Sequence, residues 1–156
     1  MEQNASQRLG QFPSVTEIGS DSASLPGRNK LAYTYTQILS VAISPAQDHI
    51  ASGGDDGRLI VVDSITGDLK FSCDDYKFWI RCVTYCPDGT MIATCSDDST
   101  INVWNADDGR HLLGPFDCNV GAVLSIAFSP DGKVLISGNA HSCVVFSDIL
   151  RDHTRE

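Results

Sequence analysis

The sequence CPDGTMIATCSDDSTINVWN, residues 86–105, contains two strand-like runs joined by a polar turn. The runs at 91–95 and 100–104 are rich in β-branched and other apolar residues, and Asp97, Asp98 and Ser99 lie between them. Two such runs on either side of a short polar cluster predict a β-hairpin.

The chain contains this stretch three times without internal gaps. The copies are SPAQDHIASGGDDGRLIVVD at 44–63, CPDGTMIATCSDDSTINVWN at 86–105 and SPDGKVLISGNAHSCVVFSD at 129–148. Their prolines, Pro45, Pro87 and Pro130, lie 42 and 43 residues apart. Each copy follows another strand-like run (ILSVAIS, IRCVTYC or VLSIAFS), and the first two precede a Gly-containing turn and a further short run.

A period of this length built from four short strands is typical of a β-propeller, in which each repeat is one blade. The predicted fold class is all-β, with about three blades of four antiparallel strands in an open or incomplete ring. The predicted divisions are a flexible leader at 1–30, a propeller segment at 31–150 with blades at about 37–73, 79–116 and 122–148, and a tail at 151–156.

The number of blades leaves three interpretations open, because closed propellers typically need four to eight. The chain is a fragment of a longer protein, a domain completed by another copy or by a partner, or an open arc. The run at 31–35 is a twelfth candidate strand, and it would fill the vacant fourth place in the last blade if the ends met.

These residues resemble the WD-repeat family over about 38–148, most specifically at VAISP, ASGGDDG, TCSDDSTINVWN and AFSPDGK. The arrangement LLGPF…VGAVLSIAFSPDGKVLISG is similar to the WD-repeat arrays of large fungal signalling proteins. The resemblance implies a propeller fold and a scaffold that binds other proteins.

The resemblance also implies a structural hydrogen-bond network in each blade. Its members are a turn Asp, a Ser or Thr on the second strand, a Trp on the third strand and a His before the first strand. The matching residues here are Asp98, Thr94 and Trp104 in the second repeat, Asp56 and Ser52 in the first, and Ser137 in the third. Val62 replaces the first Trp, and Thr34, Tyr76 and Asn119 occupy the His positions. We therefore expect the full network to be absent from every repeat.

Composition narrows the class of partner. The 156 residues include 20 acidic and 11 basic ones, for a net charge of −9, which disfavours nucleic acid and anionic membranes and favours basic protein surfaces. The sequence shows neither an apolar run of membrane-spanning length nor a secretory signal, and its six cysteines lie mostly in strand-like runs. We expect reduced thiols and a cytoplasmic protein, with the nucleus as an open alternative.

The sequence shows no catalytic constellation. Its four histidines are scattered and no serine lies in a G-x-S-x-G motif. The acidic pairs lack the ligand spacing of an EF-hand, and turn formation explains them. We therefore predict no enzyme activity, no metal site and no cofactor.

A cluster before the second repeat is the candidate interaction rim: Tyr76, Lys77, Phe78 and Trp79. Aromatic side chains exposed there would anchor a partner. The competing interpretation is that Phe78 or Trp79 packs between blades; we favour this packing for Trp79 and exposure for Tyr76 and Lys77. Asp74, Asp75 and Asp117 would make the rim negative. The predicted function is a non-catalytic protein–protein interaction scaffold that self-associates or is completed by further repeats. The alternatives are a ligand-binding or enzymatic propeller that uses a central channel, or a truncated remnant of a longer propeller.

Overall fold

The structure, a computed structural model, describes residues 37–117, 121–141 and 144–148. These residues form eleven strands in three antiparallel sheets, which confirms the all-β class. In this part of the chain no helix is long and apolar enough to cross a membrane. The expected leader, the tail and the candidate strand at 31–35 lie outside the described residues.

In each sheet the strands are neighbours in the order of the sequence. The first sheet contains β1 (Ile38–Ile43), β2 (His49–Gly54), β3 (Leu59–Asp63) and β4 (Leu69–Cys73). The second contains β5 (Ile80–Tyr85), β6 (Met91–Ser96), β7 (Thr100–Asn105) and β8 (His111–Asp117). The third contains β9 (Val123–Phe128), β10 (Val134–Asn139) and β11 (Val144–Asp148).

The turn after the first strand of each sheet is built in the same way. In the second sheet the Cys86 N–H donates to the Met91 carbonyl at 2.8 Å, and the Gly89 N–H donates to the Cys86 carbonyl at 2.9 Å. Gly89 and Gly132 have φ of 77° and 71°, and Gln47 takes this conformation in the first sheet at 62°. Glycine adopts this left-handed conformation without steric cost, which explains why Asp is followed by Gly in these turns of the second and third repeats.

The strand registers show which positions of the three sheets are equivalent. The pairs that face each other across the first two strands are Val41 and Ser52, Val83 and Thr94, and Ile126 and Ser137. A change of one residue in register would exchange the two faces of a sheet. The shared register therefore gives all three sheets the same two faces.

The core lies at the two junctions between sheets. The first junction buries Ala51, Leu59, Val61, Tyr76, Ile80, Val83, Tyr85, Ile92, Trp104 and Ala106. The second buries Ala93, Cys95, Ile101, Val103, Leu113, Val123, Ile126 and Leu135. The second sheet is thus covered on both faces, which is the packing expected of stacked blades.

Candidate interaction surface

The segment that joins β4 to β5 lies against the β2–β3 turn of the first sheet. Gly57 in that turn has φ of 71°, and a Cβ there would collide with the Tyr76 carbonyl oxygen and approach that of Phe78 to 3.0 Å. A glycine is needed at this position for both reasons. The first sheet therefore supports the backbone of the predicted rim.

Tyr76 lies in the core, so its predicted place on an exposed rim is wrong. Its side chain is only 6% exposed, and its ring is edge-on to Trp104 at a centroid distance of 6.5 Å. The hydroxyl oxygen lies 2.8 Å from Thr94 Oγ1 and 2.9 Å from the Thr94 carbonyl oxygen. A buried ring with a satisfied hydroxyl is a structural group and is not available to a partner.

The second sheet contains a partial network that joins Trp104, Thr94 and Tyr76, whereas Asp98 bonds to Thr100. Trp104 Nε1 donates to Thr94 Oγ1 at 2.8 Å, and the hydroxyl of Tyr76 lies on the same oxygen. Burial raises the pKa of Tyr76, so the hydroxyl keeps its proton and donates to Thr94. A tyrosine thus provides the polar contact that the resemblance assigned to histidine.

The two turn aspartates bond locally. The Asp98 carboxylate accepts hydrogen bonds from the backbone N–H of Thr100, at 2.9 Å, and from the Thr100 hydroxyl. The Asp56 carboxylate accepts one from the backbone N–H of Arg58 at 3.1 Å. These are side-chain-to-backbone bonds that close the turn between the second and third strands.

The remaining residues carried over from the family lie on second strands. Ser52 is half-buried, and its hydroxyl is 3.5 Å from the Ile60 carbonyl oxygen. Ser137 is buried in β10. In the first sheet the half-buried Val62 stands at the position of Trp104.

The other three residues of the predicted rim are exposed. Phe78 is 55% and Trp79 is 42% exposed, and Lys77 is also exposed. Packing of Phe78 or Trp79 between sheets is therefore not what the structure shows. Large apolar side chains on the surface are typical of partner-binding sites when a rigid polar group accompanies them.

Such a polar group lies beside Trp79. Arg81 donates from Nε and Nη2 to the two carboxylate oxygens of Asp97, both at 2.7 Å. The guanidinium carbon of Arg81 is 4.8 Å from the centre of the Trp79 ring, within cation–π range. The Asp97 N–H donates to the Trp79 carbonyl at 3.1 Å and ties the turn to the segment. We call Lys77, Phe78, Trp79, Arg81 and Asp97 the aromatic surface.

Arg81 and Asp97 were missed as members of this surface, although the sequence carries a signal for Arg81. Leucine occupies the equivalent positions, Leu39 and Leu124, in the other two repeats. A charged residue where the other copies have an apolar one indicates a role that the fold does not require. Its pairing with Asp97 depends on the hairpin register, which places residues 16 apart in contact.

Acidic side chains lie near the aromatic surface in the sequence, and Asp74, Asp75 and Asp117 are exposed. Burial, together with the charges of Asp75 and Asp74, raises the pKa of the Cys73 thiol to about 11. The two exposed carboxylates, Asp74 and Asp75, make the β4 end of the segment negative.

Of the described cysteines, Cys73, Cys82 and Cys86 are free thiols. Within the described ranges no group of three or more His, Cys, Asp or Glu residues is arranged to hold a metal ion. The exposed aromatic side chains and the Arg81–Asp97 pair make the aromatic surface the candidate site.

Comparison with known proteins agrees with the repeat pattern. The family model described as "WD domain, G-beta repeat" matches residues 29–63, 67–105 and 110–147, most of the chain. The chain belongs to the WD-repeat family. Each of the three WD matches overlaps one of the three internal copies found in the sequence and ends with it to within one residue.

Two kinds of WD-repeat relative illustrate how much of a protein this chain spans. It is 33% identical over 96 residues to human WD repeat and SOCS box-containing protein 1. The aligned stretch covers 61% of this chain and 23% of the relative. It is 28% identical over 136 residues to WD repeat-containing protein 1 of Gallus gallus, covering 85% of this chain and 21% of the relative. The chain thus spans less than a quarter of the length of these relatives.

Proposed function

We propose that this WD-repeat chain is a non-catalytic scaffold that binds another protein through the aromatic surface. The observation that carries the proposal is Trp79, exposed on one side and stacked on an arginine that Asp97 holds in place. Tryptophan and arginine are the residues that most often dominate protein-binding energy.

The geometry favours binding because the groups are ordered before a partner arrives. The bidentate Arg81–Asp97 pair fixes the guanidinium, whose carbon lies 4.8 Å from the centre of the Trp79 ring. Side chains that are already fixed lose less conformational entropy when a complex forms. Phe78, the preceding residue, is also exposed.

Charge supports a partner with basic residues. Arg81 is paired with Asp97, whereas Asp74 and Asp75 are exposed at the other end of the segment. The whole chain has a net charge of −9. Lysine or arginine residues at the edge of a partner would gain favourable long-range interactions during association.

The competing class, a propeller that binds a small molecule, has weaker support. A cleft of about 140 Å³ lies between the first and second sheets and includes Asp48, Lys70, Tyr85 and Asp88 among its lining residues. Sites for small molecules are typically about 300–1,000 Å³. This cleft is too small for that use. A larger depression of about 560 Å³ beside Ile43 and Ile50 is open to the surface and has no charged residue in its lining to orient a small molecule.

The free thiols favour a reducing compartment. Cys73, Cys82 and Cys86 are free thiols, as is usual for cytosolic and nuclear proteins. This supports the proposal of a cytoplasmic scaffold, with the nucleus as the alternative.

A peptide-display experiment tests the proposal. The full chain is exposed to a library of 15-residue peptides of varied net charge, and the bound sequences are counted. We expect basic peptides with an apolar residue to be enriched. Trp79→Ala should weaken binding of the selected peptides by about tenfold or more, because an anchoring aromatic side chain is lost.

The matched control is Ile65→Ala, since Ile65 is 78% exposed in the β3–β4 turn and outside the aromatic surface. It should leave binding unchanged. Enrichment of acidic peptides would contradict the electrostatic part of the proposal. Equal loss of binding in both variants would contradict the assigned surface.

A further inference from the structure

The outer face of the first sheet is apolar, and no other sheet of the described residues covers it. Ile38, Val41 and Ile43 on β1 are 47%, 65% and 62% exposed. A depression of about 560 Å³ beside them is lined in part by Ile43 and Ile50. An apolar sheet face of this kind on an otherwise polar protein marks a contact with another molecule.

The same face is covered in the second sheet. The shared register makes Ile80, Val83 and Tyr85 the equivalents of the three exposed β1 residues. These equivalents are all buried at the junction with the first sheet. The exposed face therefore has the pattern of a blade junction and lacks only the neighbouring sheet.

The first junction shows what such a face packs against. A Cβ on Gly53 of β2 would lie 2.5 Å from Ile80 Cγ2 and 2.9 Å from Val83 Cγ2. The absence of a side chain at Gly53 thus makes the slot that these two residues enter. At the second junction Cys95 takes the place of Gly53, and its thiol lies 3.3 Å from the Val123 carbonyl oxygen.

The third sheet has the same slot, and nothing described fills it. Gly138 of β10 is opposite Ser125, as Gly53 is opposite Ser40 in the first sheet. A Cβ on Gly138 would meet no atom within 4 Å among the described residues. Gly138 is thus the uncovered equivalent of Gly53.

We propose that two copies of this chain associate head to tail, with the outer face of β1 in one copy covering Gly138 in its partner. Ile38 and Val41 would enter the Gly138 slot as Ile80 and Val83 enter the slot at Gly53. The new contact continues the series of junctions already present inside the chain, and this continuity selects a second copy as the occupant.

The proposed contact can close on itself. A head-to-tail interface forms a ring when the rotation between copies closes. Two copies of three sheets supply six blades, within the range of about four to eight found in closed propellers. The aromatic surface has no part in this contact, so this inference stands apart from the proposed function.

Sedimentation velocity on the full chain over a range of concentrations tests the association. We expect a species with twice the chain mass of 16.8 kDa. Gly138→Val should weaken it by about tenfold or more, because the added side chain occupies the slot. The melting temperature of the dissociated chain should stay the same, since the described structure leaves open space at Gly138.

A second variant tests the other end. Val41→Lys should also dissociate the dimer, because it would bury an unpaired charge in the junction. Phe78→Lys is the matched control, since Phe78 is exposed and belongs to the aromatic surface, which has no part in the junction, and it should have no effect.

Mixing the two variants distinguishes head-to-tail packing from a symmetric contact between two first sheets. In a mixed pair one junction carries both substitutions and the other carries neither. Dimers should therefore reappear on mixing if the contact runs head to tail. A contact between two β1 faces predicts that Gly138→Val has no effect and that mixing restores nothing.

Three results would overturn the proposal. One is a monomer at every soluble concentration, and another is a dimer that Gly138→Val does not weaken. The third is a lower melting temperature of the dissociated Gly138→Val chain, which would mean that another segment of the same chain already fills the slot.

Discussion

The first and second sheets share a strand order and a register, yet they are stabilised differently. The second sheet is packed on both faces and contains the hydrogen-bonded group of Tyr76, Thr94 and Trp104. The first sheet has Ser52 and Val62 at the corresponding positions, and its outer face is exposed. The hairpins set the architecture, whereas burial and the polar group set how much each sheet contributes to stability.

The comparison also separates two uses of tyrosine at the first junction. Tyr76 and Tyr85 are both buried, and among the described residues Tyr76 has a hydrogen-bond partner for its hydroxyl whereas Tyr85 has none. Burial and the negative charge of Asp48 raise the pKa of Tyr85 to about 12. One hydroxyl therefore stabilises the fold, while the other carries an uncompensated cost of desolvation.

The largest expected difference between the sheets is at the position of Trp104. Trp104→Ala should lower the free energy of unfolding by about 3–5 kcal/mol, because it leaves a large cavity and removes the partner of Thr94. Val62→Ala, at the equivalent position, should cost less than about 2 kcal/mol because Val62 is only half-buried. Urea unfolding measures both. Equal losses would contradict the unequal contribution of the two sheets.

The next test sharpens the comparison of the tyrosines. Tyr76→Phe should cost about 1–2 kcal/mol, because the hydrogen bonds to Thr94 are lost while the ring remains. Tyr85→Phe is the matched control and should be neutral or slightly stabilising, since it removes a buried hydroxyl without a partner. Thermal and urea unfolding of the two variants give the difference. A larger loss of unfolding free energy for Tyr85→Phe than for Tyr76→Phe would contradict the roles assigned to the two hydroxyls.

The smallest expected effect lies in the turns. Asp98→Ala should cost about 1 kcal/mol, because two hydrogen bonds to Thr100 close the β6–β7 turn. Asp56→Ala should cost less, since Asp56 accepts one bond from Arg58 in an exposed turn. Asp98→Asn keeps an acceptor oxygen and should recover most of the loss. The same unfolding assay measures all three, and a greater loss at Asp56 would reverse the expected order.

The sequence predicted part of the aromatic surface. Phe78 and Trp79 were named as candidates from their type and position, and the structure has both exposed, whereas packing between blades was favoured for Trp79. Tyr76 was placed wrongly, because sequence adjacency does not show which side of a loop each side chain takes. Arg81 and Asp97 were missed as a pair, because their contact joins a strand to a turn 16 residues away.

The sequence by itself determined the strands, the three repeats and their common register. Those features follow from local alternation and turn chemistry, which a period of 42 or 43 residues makes visible. Only the tertiary structure decided that Tyr76 bonds to Thr94, where the family has a histidine, and that Arg81 supports Trp79. It also decided that Ile38 is exposed and that no described residue covers Gly138. These features depend on how the sheets stack. Packing brings together residues that are far apart in the sequence, and no local sequence pattern shows which of them will meet.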